Sequence, residues 1–190
     1  MKKTILLFVL LVSVVALQAA NPVKLTSGDK AVFTESVVTN VVIDDHKTMI
    51  DGRDQTADVY YGEKSAAEYE KFVDDVDRGH ESFITYFNEK KKSKIKMTIA
   101  DQYKQAAYTL KVNVTSMNVG NAGGIIWGLS RKAGGALING NMQLVSNETG
   151  EVVCEFQFED VKGLMAPVFR ARVISVYRYL ADGLLKAVQE

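Results

Sequence analysis

The chain has 190 residues but only one Cys, two Pro and two His. One Cys makes no internal disulfide and no cysteine-rich zinc site. Two His leave little material for metal ligation or for acid–base work near neutral pH. Neither charge is in excess, with 23 basic residues against 23 acidic ones. That balance argues against a dedicated nucleic-acid binder, which normally carries a basic surplus. Beyond the N-terminus no apolar run is long enough to span a bilayer, and there is no internal repeat or low-complexity linker. What the chain does have is 47% hydrophobic residues with 24% charged ones, a mixture that folds rather than staying disordered.

The first twenty residues read as an address. Met1, Lys2 and Lys3 form a basic start. Ile5 to Leu17 is apolar except for Ser13, and Ala19-Ala20 precede Asn21-Pro22. This is the layout of a secretory signal peptide, with cleavage expected after Ala19 or Ala20. The apolar run is too short for the roughly 20 residues of a transmembrane helix. The expected organisation is a signal peptide over 1–20 and one domain over 21–190. No Cys stands near the cleavage point to accept a lipid anchor. The mature chain is expected to be soluble and exported, to the periplasm of a Gram-negative cell or, alternatively, to the extracellular space. Losing Lys2 and Lys3 leaves 21 basic residues against 23 acidic, a mature charge of −2. Cys154 falls on the apolar side of the alternation Val152-x-Cys154-x-Phe156-x-Phe158, which predicts a buried thiol.

Hydrophobic period supplies the elements. Val23 to Leu25 and Ala31 to Phe33 fit two short extended pieces around a turn at Ser27-Gly28-Asp29-Lys30, and Val37 to Ile43 reads as a strand running toward Ile50. Residues 52–64 read as a loop. Tyr69, Phe72, Val73, Val76, Phe83, Ile84 and Phe87 then lie on one helical face. Ser65 and Glu68 are spaced as a capping box, so the helix is expected over 65–91, with Gly79 as a weak point and Lys90 to Lys94 complementing its C-terminal dipole. From Lys94 the period becomes two, through Ile95-Met97-Ile99, Tyr108 to Val119 with a bulge near Thr115-Ser116, Ala136 to Leu144, and Val152 to Phe158. Asn147-Glu148-Thr149-Gly150 is a hairpin turn. Pro167 opens a second helix whose stripe is Phe169, Val173, Val176, Tyr177, Leu180, Leu184 and Val188. The expected fold class is α+β, a β-α-β-β-β-α two-layer sandwich with a mostly antiparallel sheet and two long helices on one face, like the anticodon-binding type.

Chemistry is thin. There is no nucleophile elbow, no His-Glu-x-x-His and no phosphate loop. Asp44, Asp45 and His46 adjoin, but neighbours on a strand point to alternating faces and do not converge on one ion. His80 sits beside an apolar helical face and reads as a satisfied, half-buried side chain. No catalytic residue, metal ligand or cofactor is expected. The most distinctive stretch is Gly-rich, from Gly120 through Gly123-Gly124-Ile125-Ile126-Trp127-Gly128 to Gly134-Gly135 and Gly140. It joins two strands, so it is not a phosphate cradle at a helix start. Ile125, Ile126 and Trp127, the only Trp, are the candidate contact loop.

Tyr108 to Val114, Gly134-Gly135-Ala136, Thr149-Gly150-Glu151-Val152-Val153 and the helix from Arg170 follow a pattern of alternating strand, Gly-rich connection, strand with a Thr-Gly turn, returning strand and final helix. In this the chain resembles the periplasmic domain of CsgG-type curli-secretion proteins and related lipoprotein-like domains. The resemblance implies the same layout and carries over no catalytic residue. The chain departs from it in lacking the lipid-anchor Cys, and Met117 to Gly135 is short for a membrane-inserted hairpin. The expectation is a non-catalytic envelope protein acting through protein contacts, as an assembly or accessory subunit with an envelope partner or further copies of itself. The alternative is a small-ligand or lipid-binding module whose pocket would use Tyr60, Tyr61, Phe83, Tyr86, Phe87, Trp127, Tyr177 and Tyr179.

Overall fold

The structure is a computed structural model that describes residues 21–45, 47–50, 53–120 and 134–189. Seven strands form one mixed sheet. They are β1 (Val23–Gly28), β2 (Val38–Asp44), β3 (Met49–Ile50), β4 (Thr98–Ala100), β5 (Tyr108–Asn118), β6 (Leu137–Ser146) and β7 (Val152–Lys162). Their order is β1-β7-β6-β5-β2-β4, with β3 also beside β5. A short helix α1 (Ala57–Gly62) and two long ones, α2 (Ala66–Lys90) and α3 (Phe169–Gln189), complete the chain, with a 3-10 turn at Lys30–Thr34.

The sheet has an antiparallel half and a parallel half. β5, β6 and β7 form a meander, and β1 adds antiparallel to β7. β2 runs parallel to both β4 and β5. Parallel neighbours cannot be joined by a hairpin and need a crossover. α2 is that crossover, lying between β2 and β4 in sequence. It packs against α3, so both long helices lie on one face and the inward sheet residues become the core. The α+β class and the two long helices agree with the sequence expectation. The parallel pairs concern strands too far apart in sequence for any local pattern to orient.

Local signals place the elements closely. The Ser65 hydroxyl accepts from the Glu68 amide and starts α2, as the capping box predicts. The β5–β6 register shifts between Val114 and Ser116, where the sequence changes phase. Leu110, Val112, Val114 and Met117 therefore all face inward and are buried. Gly79 has a purpose that propensity alone misses. A Cβ there would lie 2.4 Å from the Tyr177 ring, so glycine lets the two helices approach at this point. Elsewhere in the core Phe33 meets Phe156 edge-on at 6.0 Å and Phe87 at 6.5 Å.

Three expectations need correction. Ala31 to Phe33 are not extended but lie in the 3-10 turn Lys30–Thr34, which the Asp29 side chain caps by accepting from the Ala31 amide. Residues 57–62 are helical rather than loop. Six residues are too few to show a period, and tertiary contact holds them: Tyr61 stacks on Phe72 at 4.2 Å. The strand read around Ile95 to Ile99 is confined to Thr98–Ala100. Ile95 and Met97 are buried all the same, in an irregular segment whose Lys96 and Met97 amides both donate to Phe33 O.

Candidate functional site

The ends of the Gly-rich connection are held tightly. Gly120 has φ +69°, and a Cβ on it would come within 2.5 Å of Gly134 O. Glycine is thus required where β5 and β6 part. The Asn118 side chain accepts from the Gly120 amide at 2.9 Å. From α3, the buried Arg172 reaches this root. Its Nε donates to Val119 O at 3.0 Å, and its guanidinium also donates to Ala166 O at 2.8 Å and Pro167 O at 3.3 Å. One side chain therefore ties the end of β5 to the approach to α3. Ser175 fixes the same approach, accepting from the Leu164 amide and donating to Arg172 O.

That approach leaves apolar side chains in solvent. Leu164 is 58% exposed, Met165 52% and Val168 59%. Three large apolar residues within five positions form a patch rather than a scattered occurrence. Met49 in β3, which pairs with the end of β5, and Val59 in α1, which packs on β3, are also exposed. The candidate contact residues Ile125, Ile126 and Trp127 lie outside the described residues, between the two anchored ends. His46 and residues 1–20 lie outside them too.

A buried polar network lies deeper in the same layer. Asp45 follows β2 in the inward phase of Thr39, Val41 and Ile43. Its Oδ2 accepts from the Tyr177 hydroxyl at 2.9 Å and lies 2.8 Å from His80 Nε2. One carboxylate thus joins sheet, α2 and α3. Burial pushes the Tyr177 hydroxyl well above its usual pKa, and the facing Asp45 adds to this. The phenol therefore stays a proton donor across the physiological range. Tyr177 has no solvent exposure and Asp45 almost none, so no substrate reaches their shared hydrogen bond. His80 borders an open cleft of about 530 Å3, lined also by Val41, Val42, Ile43, Asp77, Glu81, Ile84, Asp101 and Gln102. That lining offers no hydroxyl or thiol for a His–Asp pair to activate.

Sequence reading missed this network and the Arg172 tie. The inward phase of β2 carried through to Asp45 is the one signal that pointed to it, because a carboxylate in a core position calls for donors. A second surface, a groove of about 710 Å3 on the open sheet face, carries Asn139, Asn141, Gln143, Gln157 and Glu155. Neither hollow is lined by the aromatics proposed for a ligand pocket. Phe83, Phe87 and Tyr177 are wholly buried in the core instead. Cys154 is buried as expected, and its thiol is pushed up to about 12, mainly by burial.

No family model matches the chain, and no curated protein matches it. Among solved structures it is similar to the PelC dodecamer of Paraburkholderia phytofirmans. The identity is 13% and the TM-score 0.44, over 84% of this chain and 96% of that one. A variant of the same PelC dodecamer gives 15% identity and a TM-score of 0.40, over 85% and 96%. The likeness is one of general chain course.

Proposed function

We propose that the mature chain is an exported, periplasmic, non-catalytic protein that works through protein–protein contacts, as a subunit of an envelope assembly. The contact surface is the end of the sheet where β5 and β6 part. The observation that carries this reading is the exposed apolar patch Leu164, Met165 and Val168 beside the roots of the connection that bears Ile125, Ile126 and Trp127. Export rests on the signal-like first twenty residues. No helix among the described residues is long and apolar enough to cross a membrane.

Sedimentation velocity and cross-linking of the mature protein, compared with Trp127→Ala and with Leu164→Ser/Met165→Ser, test the reading. The expected result is concentration-dependent association that both variants weaken while remaining folded. A monomer at every concentration that cross-links to nothing in periplasmic extract, or association indifferent to both variants, would overturn it.

A further inference from the structure

The long helices cover one face of the sheet, and the other face is open and polar. Its side chains stand in register. One row runs from Asp44 in β2 through Asn113 in β5, Asn141 in β6 and Gln157 in β7 to Lys24 in β1, each residue paired with the next. All of them are exposed. The adjacent row holds Lys111 in β5, Gln143 in β6 and Glu155 in β7. Both rows are centred on β6, with opposite charges on its two sides. Strands lie about 4.8 Å apart, which sets Asp44 about 19 Å from Lys24 and Lys111 about 10 Å from Glu155. Neither pair closes within one chain. Among the described residues, Asp44, Lys24 and Lys111 have no hydrogen-bond or ion-pair partner. The Glu155 carboxylate accepts from two neutral donors, Ser27 Oγ at 2.9 Å and Gln143 Nε2 at 2.6 Å, which leave its charge unbalanced.

A two-fold axis along β6, in the plane between two such faces, lays each row end for end over its copy. Lys111 then faces Glu155 of the second copy, and Asp44 faces Lys24 of the second copy. Each contact occurs twice, as an isologous interface requires. Asn141 and Gln143 face their own equivalents, and a side-chain amide donates and accepts at once. An axis across the strands brings no opposite charges together. Face-packed sheets lie about 10 Å apart, a gap that Lys and Gln side chains reach across from both sides. This charge pattern selects a second copy of the chain as the occupant. We infer that the open face pairs with the open face of a second copy about this axis, through Lys111 against Glu155 and Asp44 against Lys24. The surface is distinct from the apolar patch at Leu164, Met165 and Val168, so a chain that uses both assembles beyond a dimer.

Charge reversal on the mature chain tests it by sedimentation equilibrium. Lys111→Glu and Glu155→Lys are each expected to weaken self-association about tenfold or more. Mixed together they restore both contacts, so the heterodimer is expected to recover wild-type affinity, as is the swapped chain Lys111→Glu/Glu155→Lys. Asp44→Lys and Lys24→Glu repeat the test at exposed positions if a Glu155 variant unfolds in circular dichroism melts. Raising NaCl from about 0.1 M to about 1 M cuts the screening length from about 10 Å to about 3 Å. Pairing through this face is expected to weaken accordingly, while contact through the apolar patch does not. Indifference to either reversal, or weakening without recovery in both the mixture and the swap, overturns the inference. If Leu164→Ser/Met165→Ser abolishes association and the reversals leave it unchanged, the patch reading stands and the face pairing falls. The opposite result keeps the face pairing and removes the patch. A wild-type chain that is monomeric at every concentration overturns the face pairing, whatever the patch binds.

Discussion

Two regions of this molecule are built from the same kinds of side chain and treat them in opposite ways. Where α2 and α3 meet the sheet, Phe33, Phe83, Phe87 and Phe156 are sealed from solvent. Where β5 and β6 part, Leu164, Met165 and Val168 stay more than half exposed. The difference is not hydrophobicity. Phe83 and Phe87 recur at helical period and Phe156 at strand period, so each turns to the core face, and Phe33 joins them from the 3-10 turn after β1. The second set lies in an irregular approach to α3, pinned by Arg172 and Ser175 through backbone bonds. Backbone satisfaction orders the segment without burying its side chains. The contact function proposed above assigns the open region to a partner and the closed one to stability.

Variants rank the two regions. Phe83→Ala is expected to cost about 3–5 kcal/mol in urea unfolding, as deletion of a large core side chain does, and to leave association of the surviving folded fraction unchanged. A loss below about 1 kcal/mol would mean the core is less closed than described. Arg172→Met strands the carbonyls of Val119, Ala166 and Pro167, at an expected cost of about 1–3 kcal/mol. Hydrogen exchange should rise first at Leu164 and Gly120, the amides beside that root, before it rises in the sheet.

Tyr177→Phe keeps the packing and removes one donor to Asp45, at about 1 kcal/mol. Its signature is in pH. The phenol's pKa in the folded chain lies above the ordinary 10.0 of the unfolded one. Its contribution is therefore complete below pH 10 and declines as pH rises past 10. Wild-type stability should fall more steeply than that of Tyr177→Phe between pH 10 and 11.5, and parallel curves would remove Tyr177 from the account. Cys154 probes the closed region without a stability cost. With its thiol pushed up to about 12, native protein should resist thiol reagents at pH 8 and react fully in urea. The smallest stability change belongs to the open patch. Leu164→Ser/Met165→Ser should alter unfolding by no more than about 0.5 kcal/mol per site while weakening association, a separation that Phe83→Ala cannot show.

How much of this could be read beforehand follows the range of each interaction. The α2 cap, the bulge after Val114 and the burial of Cys154 depend on neighbours within a few residues, and patterning exposed them. Helix α1 was missed because six residues carry no period and are held by Tyr61 stacking on Phe72. Gly79 looked like a weakness, since its reason, the Tyr177 ring, lies on a helix 98 positions away. Of the candidate site, composition pointed to Ile125, Ile126 and Trp127. The patch at Leu164–Val168 reads in sequence like any short apolar stretch, because exposure is a property of what fails to cover it.

Local sequence alone determined where the two long helices and the β5–β7 strands run, which of their faces turn inward, and that cysteine-rich disulfide and zinc scaffolds are excluded. Those are consequences of period, capping and composition, which act along the chain. Only the tertiary structure decided that β2 runs parallel to β5, that Asp45 finds its partners on two different helices, and that β4 pairs with β2 only from Val38 to Asn40. Each depends on where distant segments cross, and chain crossing is set by the closing of the whole core rather than by any window of residues.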